Sequence, residues 1–416
     1  MSEFFNVLAP DDARALLVEH IKPLDGMEWV SAMDGLGRVT AEPIPAPHPL
    51  PAFRRSTMDG YAVRAKDTFG ASGSLPAFLE VIGEVPMGQA AELALQTGQA
   101  ALVHTGGMIP DTADAVVQVE QTQIAGPAGQ RPPYEIEVFK AVGPGENVLQ
   151  VGEDVALGDS VLPAGHLLRP QDVGGLLALG ITRLAVRRRP RVAVLATGDE
   201  VIAPDKEPRP GQIRDINSYT IAAQVIRAGG EPVFGGIIPD KLAALQDAAR
   251  SALAGSDMLV MSAGSSVSFR DMSVQVLDGL GEPGVLFHGV ATRPGKPTIG
   301  AVAGRKPLLG LPGNPVSAMV QFDMLGRPAI ERLLGITRAP QRGVLWARLS
   351  SNVASESGRE DYVPVELLKT TGGYEARPVY GKSNLIYTLV RADGLMKIPL
   401  DQGGLLAGEL VEVRLF

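Results

Sequence analysis

The spacing of hydrophobic and polar residues changes period several times along the chain, and each change marks an element. Arg191 to Ala196 is an almost unbroken apolar run, the pattern of a strand buried on both faces, and it leads into Thr197-Gly198-Asp199-Glu200. Ile216 to Ala228 carries apolar residues at helical spacing, with Asn217 or Ser218 as N-cap and Gly229-Gly230 as the stop. A strand over Glu231 to Ile238, a helix over Lys241 to Leu253 beginning after Asp240, and a strand over Asp257 to Met261 come next. That last strand ends in Ser262-Ala263-Gly264-Ser265-Ser266. Such alternation predicts a doubly wound α/β sheet, whose ligands bind at the carboxyl ends of the strands.

Elsewhere the pattern differs. Pro10 to Ile21 and Pro170 to Leu179 read as helices, the second stopped by Gly180. Leu75 to Val142 is made of short alternating runs such as Ala115 to Glu120, the mark of an inserted all-β piece after the Pro-rich connection Pro43 to Pro51. Leu345 to Leu349, Tyr374 to Tyr380 and Glu409 to Phe416 alternate again and predict a final β domain. Arg187-Arg188-Arg189-Pro190 marks a boundary, first as a solvated basic face or linker and alternatively as a patch that attracts an anionic substrate. The expected division is a discontinuous N-terminal linker and dimerisation domain (1–45 with 146–187), an inserted β domain (46–145), an α/β domain (188–337) and a C-terminal β domain (338–416). The fold class is therefore multidomain α/β and β: a doubly wound α/β domain with an inserted all-β domain, a helical/β N-terminal domain and a C-terminal β-barrel-like domain.

Composition narrows the function. A chain of 416 residues with 45% hydrophobic content can build several cores. A net charge of −8 argues against a general nucleic-acid surface, and no apolar run approaches the roughly 18 residues that span a bilayer. With no cysteine there is no disulfide framework, thiolate metal site or Cys nucleophile. The first residues lack a secretory signal, so a cytoplasmic location is expected.

The strongest chemical signal is Gly310-Leu311-Pro312-Gly313-Asn314-Pro315-Val316-Ser317, which follows an apolar run and opens onto an amphipathic segment. A strand, a tight turn and a helix start in that order predict an anion site of free backbone N–H groups, with Ser317 adding a hydroxyl donor. Taken alone, it reads first as a rigid strand-to-helix turn.

Together with Ser56-Thr57-Met58-Asp59-Gly60-Tyr61-Ala62, Thr105-Gly106-Gly107, Gly152-Glu153-Asp154, Leu162-Pro163-Ala164-Gly165, Thr197-Gly198-Asp199-Glu200 and Arg293-Pro294-Gly295-Lys296-Pro297, this segment resembles the molybdopterin molybdenumtransferases. That is the MoeA family, which includes the gephyrin E domain, and the resemblance runs over essentially the whole chain. It implies an α/β domain of the molybdenum-cofactor-biosynthesis type. It also implies a reaction in which molybdate enters the dithiolene of adenylylated molybdopterin and AMP is released.

Such a site must hold a tetrahedral oxyanion, a phosphoanhydride and a divalent cation. Asp215 and Asp271 are the Mg²⁺ candidates by resemblance, because hard cations take carboxylate oxygens, although a lone Asp is as readily a helix cap. Arg293 and Lys296 flank a rigid Pro-Gly and suit the oxyanion, with Arg359 and Ser383 carried over from the last domain. Asp59, Thr105, Asp154 and Glu200 fall where the family has functional residues, and Ser262, Gly264, Pro312, Gly313 and Pro315 complete the anion-binding loops. Asp59, Asp215, Asp271 and Lys296 are the expected catalytic group. The resemblance further implies a homodimer, with molybdopterin adenylyltransferase and molybdoenzymes as transient partners and neither nucleic acid nor membrane. Ala263, Ser265, Gly289 and Arg293 depart from the usual pattern and point to a divergent subgroup or second paralogue. A pterin adenylyltransferase or pyrophosphate hydrolase, and a non-catalytic scaffold of the gephyrin type, are the competing functions.

Overall fold

In the computed structural model the described residues are 7–126, 131–263, 267–340 and 343–416, with side chains 263–271 outside the description. By its contacts the chain forms two units, one of residues 43–163 and 170–182, the other of 1–42, 164–169 and 183–416.

The larger unit holds the doubly wound sheet. Its strands lie in the order Glu231–Ile238, Arg191–Thr197, Met258–Ala263, Lys306–Pro312, Ile299–Ala303 and Pro283–His288. The first four are parallel, and Ile299–Ala303 runs antiparallel to both of its neighbours. Alternate residues of the central strand separate the two cores. Val192 and Val194 face a cluster with Ile221, Val225, Phe322 and Ile330, whereas Ala193 and Leu195 face Leu245, Ala249, Val276 and Leu277. Helices therefore cover both faces, which is why these strands read as continuous apolar runs. The first helix, Pro10–Glu19, packs Ala13 and Leu17 into the first of those clusters. Helix ends move by a residue or two from the sequence reading: Asn217–Arg227 and Leu242–Ala254 are observed.

Beyond the sheet, Val344–Leu349, Glu360–Thr370, Gly373–Pro378, Gly394–Ile398 and Leu410–Leu415 close into a barrel, because the long strand pairs with Gly394–Ile398 through Asp361 to Val365 and with Gly373–Pro378 through Val365 to Thr370. A short strand, Thr292–Arg293, adds to it in parallel at Glu360 and Asp361. The predicted barrel-like domain is thus present, with Val365, Met396 and Val413 at its core.

The basic run is structural. Arg188 makes two 2.7 Å bonds to the Asp257 carboxylate, and Arg187 donates to the Leu24 carbonyl at 2.8 Å.

The smaller unit contains a six-stranded sheet in the order Ala115–Gln118, Gly60–Val63, Gln99–Val103, Ala77–Glu84, Tyr134–Val138 and Thr122–Ile124. Tyr61 and Val63 enter one core, Ala62 and Val103 another. The alternation expected over Ala115 to Glu120 is accordingly not realised: Ala115, Val116 and Val117 are all buried, because the sheet is covered on both faces here.

Candidate active site

Candidate site residues gather where the sheet strands end. Ile213 and Asp215 are tied by backbone bonds to Glu200 and Ile202, and the Thr197 hydroxyl donates to the Ser262 carbonyl at 3.3 Å. Asp240 follows Glu231–Ile238 and donates its N–H to Asp199 Oδ1 at 3.2 Å. Glu200 is exposed beside them. Burial first, then the charges of Asp199 and Glu200, push the Asp240 carboxyl above the usual carboxylate range, and its Oδ1 is buried with no partner. Sequence reasoning treated Asp240 only as the start of a helix. Its position at the end of a parallel strand, shared with the other loops, was the signal that could have found it.

Asp215 is 7% exposed and accepts the Ser218 N–H at 3.0 Å through Oδ1. Through Oδ1 it therefore caps the helix, the part expected of Asn217 or Ser218. Asn217 instead donates to the Gly313 carbonyl at 2.8 Å, joining this corner to the Pro312-Gly313 loop. Gly264 and the side chain of Asp271 lie outside the described residues; Ser262 is buried.

The expectation of an open helix N-terminus at Pro315 is corrected by the structure. Val316 N–H is bonded to the Ser383 carbonyl at 3.1 Å, and Asn314 donates its side-chain amide to Ser383 Oγ at 2.9 Å rather than capping its own helix. Ser317 is 4% exposed, so the accessible polar lip is formed by Asn314 and Ser383, not by Ser317. Pro315 does occupy the first helical turn.

Arg293 and Arg359 meet over a third residue that sequence reasoning missed. Asp361, 3% exposed, takes Arg359 Nε at 2.9 Å on Oδ1 and has Arg293 Nη1 at 3.7 Å from Oδ2. Arg293 is paired in register with Asp361 across the added strand, so the contact follows from the barrel topology. A buried carboxylate under two guanidinium groups fixes their direction while leaving Arg293 well exposed. Lys296 is exposed at the following turn. Gly295 has φ +109, and a Cβ there would strike the Gln321 side chain, which itself donates to Thr292 Oγ1 at 2.8 Å and the Pro294 carbonyl at 3.1 Å. This is why Gly stands between Arg293 and Lys296. Gly289, at φ +122 with Val7 Cγ2 3.1 Å from a built Cβ, is likewise a backbone requirement of this chain.

In the smaller unit Asp59 and Thr105 come together. Asp59 Oδ1 accepts the Thr105 N–H at 2.8 Å and its hydroxyl at 3.2 Å, and the backbone bond above all holds the Asp59 carboxyl below its usual range. His104 stands beside them, with Nε2 2.8 Å from Glu84 Oε1; neither was singled out from sequence. Asp154 is exposed on a loop whose backbone is bonded to Leu50.

A doubly wound sheet ending in carboxylates and Gly-containing loops, latched to a barrel that supplies arginines, defines an α/β protein built to hold a polyanion. The chain matches the families described as MoeA N-terminal region (domain I and II) over residues 8–180, Probable molybdopterin binding domain over 193–332 and MoeA C-terminal region (domain IV) over 346–416. It is 32% identical over 97% of its length to the molybdopterin molybdenumtransferase of Nostoc sp., covering 92% of that protein, and 33% identical over 98% to that of Bacillus subtilis, covering 94%. The crystal structure of a molybdopterin biosynthesis moeA protein from Pyrococcus horikoshii OT3 superposes with a TM-score of 0.84 at 31% identity, covering 99% of this chain and all of that one. The chain belongs to the molybdopterin molybdenumtransferase (MoeA) family.

Proposed function

We propose that this protein is a molybdopterin molybdenumtransferase: it takes molybdate and adenylylated molybdopterin and releases AMP and molybdenum cofactor. The observation that carries the reading is the pairing of Arg293 and Arg359 with buried Asp361; Asn314, bonded to Ser383, adds neutral donors from a second contact with the last domain. Two guanidinium groups, a lysine, an amide and a hydroxyl suit a tetrahedral oxyanion better than a nucleotide base. Lys296 and Arg293 hold the oxyanion by their positive charge, and Arg359, oriented by Asp361, adds the third positive group.

At the strand ends the chemistry is opposite in sign. The orphaned Asp240 oxygen and its crowding by Asp199 and Glu200 fit a divalent cation in charge, although among the described residues no three acidic or histidine side chains stand in ready-made ligand geometry. Mg²⁺ would be held by Asp215, Asp271 and Asp240, and when bound it offsets phosphate repulsion and stabilises departing AMP. Asp59 and Thr105 serve the same reaction from the smaller unit. A homodimer in which the smaller unit of one protomer completes the α/β site of the other fits this division. Lack of cysteine fits a cytoplasmic setting, with the adenylyltransferase that makes the substrate and the molybdoenzymes that take the product as transient partners. A negative chain suits neither nucleic acid nor anionic lipid.

Release of AMP from adenylylated molybdopterin, measured with molybdate, with tungstate and with neither, tests the reading. Molybdate-dependent release is expected. Release without any oxyanion would favour the pyrophosphate hydrolase, and no release by folded protein the scaffold.

A further inference from the structure

Gln321 is the last residue of the helix Pro315–Gln321, so a single helix begins at the Gly313-Asn314 loop and ends against the turn from Arg293 to Lys296. A π-helical turn, Phe322–Gly326, follows it directly, a local widening of the kind that collects at functional positions. The Gln321 side chain is fully buried, and its Nε2 donates to Thr292 Oγ1 at 2.8 Å and to the Pro294 carbonyl at 3.1 Å. The amide can point only one way, because a carbonyl accepts and never donates, so the nitrogen must face Pro294. That orientation leaves Oε1 buried with no partner among the described residues. An apolar side chain of the same length would fill the space without an orphaned oxygen, so the polar head is explained by its two donor bonds and not by packing.

We propose that Gln321 is a positioning residue for the oxyanion turn: its amide fixes the Pro294–Gly295 peptide and so sets where Lys296 leaves the backbone. The Pro294 carbonyl and the Gly295 N–H belong to one rigid plane, and a bond to the first orients the second. Gly295, at φ +109, lies against the same side chain, where a built Cβ would come within 2.4 Å of Cγ and Nε2. Beyond the glycine the turn is held by other groups: the Thr298 hydroxyl donates to the Gly295 carbonyl at 2.7 Å, and Val290 N–H to the Lys296 carbonyl at 2.9 Å. Before it, Arg293 is paired in register with Asp361. Among the described hydrogen bonds only that of Gln321 reaches the Pro294 carbonyl between those anchors, and a glycine has no stiffness of its own to replace it. The inference rests on the reading of Lys296 as an oxyanion contact.

Two measurements test it separately from that reading. Gln321→Met keeps the length and packing but removes both donors, and Gln321→Asn keeps an amide too short to reach both acceptors, so either serves if the other fails to fold. Backbone ¹⁵N relaxation of the full chain should show Gly295 and Lys296 rigid in the wild type, with order parameters of about 0.85, and falling toward about 0.6 in the variant. Unchanged order at Gly295 overturns the proposal whatever the enzyme does. In the AMP-release assay the variant should need roughly 10-fold more molybdate for half-maximal rate, the scale of a misplaced binding group, with half-saturating pterin within about 2-fold. In a Lys296→Ala background the same substitution should change half-saturating molybdate by no more than about 2-fold, because the two residues act through one contact. Equal losses for molybdate and pterin, or full additivity with Lys296→Ala, would make Gln321 a structural residue only. Absence of molybdate-dependent release in the wild type, with Gly295 loosened in the variant, would instead remove the functional reading and leave the hold on the turn standing.

Discussion

Asp59 and Asp240 both sit in turns at strand ends, one in each unit, and their surroundings push them in opposite directions. Asp59 has donors from Thr105 gathered on one oxygen and is held as a carboxylate; Asp240 is pushed toward its protonated form by burial and by Asp199 and Glu200, with one oxygen unpartnered. The first finds its donors within its own unit. The second is crowded by like charge, which a positive partner would relieve.

Removing the unsatisfied acid should have the largest effect. Asp240→Asn is expected to lower molybdate-dependent AMP release by about 100-fold, the scale of losing metal-assisted charge stabilisation, while Tm holds or rises because one of three repelling carboxylates is gone. Activity within a few-fold of wild type would show that Asp240 is only a crowded turn residue.

Next comes the oxyanion corner. Lys296→Ala should raise the molybdate needed for half-maximal rate by roughly 10- to 150-fold, equivalent to about 1.5 to 3 kcal/mol for one charge-assisted contact. An equal loss of pterin affinity would place Lys296 on the phosphate instead.

Mixing an Asp59→Asn chain with an Asp240→Asn chain brings the two carboxylates into one test. If the units complete each other across a twofold dimer, random exchange leaves half the dimers mixed, each with one intact site, so activity should recover to about a quarter of wild type. Differently tagged chains establish exchange, and no recovery after exchange confines the site to one protomer.

Arg293→Lys should change turnover by no more than about 2-fold, because Arg359 retains the close contact to Asp361 while Arg293 approaches it only at 3.7 Å and is well exposed. A large loss would show that Arg293 acts as a two-pronged donor.

The smallest effect concerns Glu331, which burial and then Asp323 push up to about 7 from 4.5, although Arg327 Nε lies 2.6 Å away and pulls the other way. Its folded value is raised, so the stability it contributes is full below 4.5 and falls as pH rises through 7. Glu331→Gln should flatten that fall, giving a Tm at pH 8 higher by roughly 1 to 3 °C. A steeper fall would mean that the Arg327 pair dominates.

The carboxyl-end loops were legible in the sequence because continuous apolar runs announce parallel strands, and strand ends are where such sheets bind. Asp59, Thr105, Arg293 and Arg359 were reachable through their motifs. Asp361 was not, since its meaning comes from the pairing of Thr292–Arg293 with Glu360–Asp361, a register between segments far apart in the chain. Ser317 was misjudged for a related reason: the spacing that marks a helix start does not reveal that Ser383 already occupies it. Asp215 carried two local meanings, and only its 3.0 Å bond to Ser218 shows the cap.

The latch of Ser383 onto Val316 and Asn314, and of Arg293 onto the barrel strand at Asp361, also fixes the order in which the protein can mature on the ribosome. The α/β sheet has all its strands once Pro312 has been made, yet the contacts of Arg293, Asn314 and Val316 with the last domain must wait for the barrel, which closes only when Leu410–Leu415 has emerged and paired. A nascent chain therefore holds every strand of its sheet long before those contacts can form.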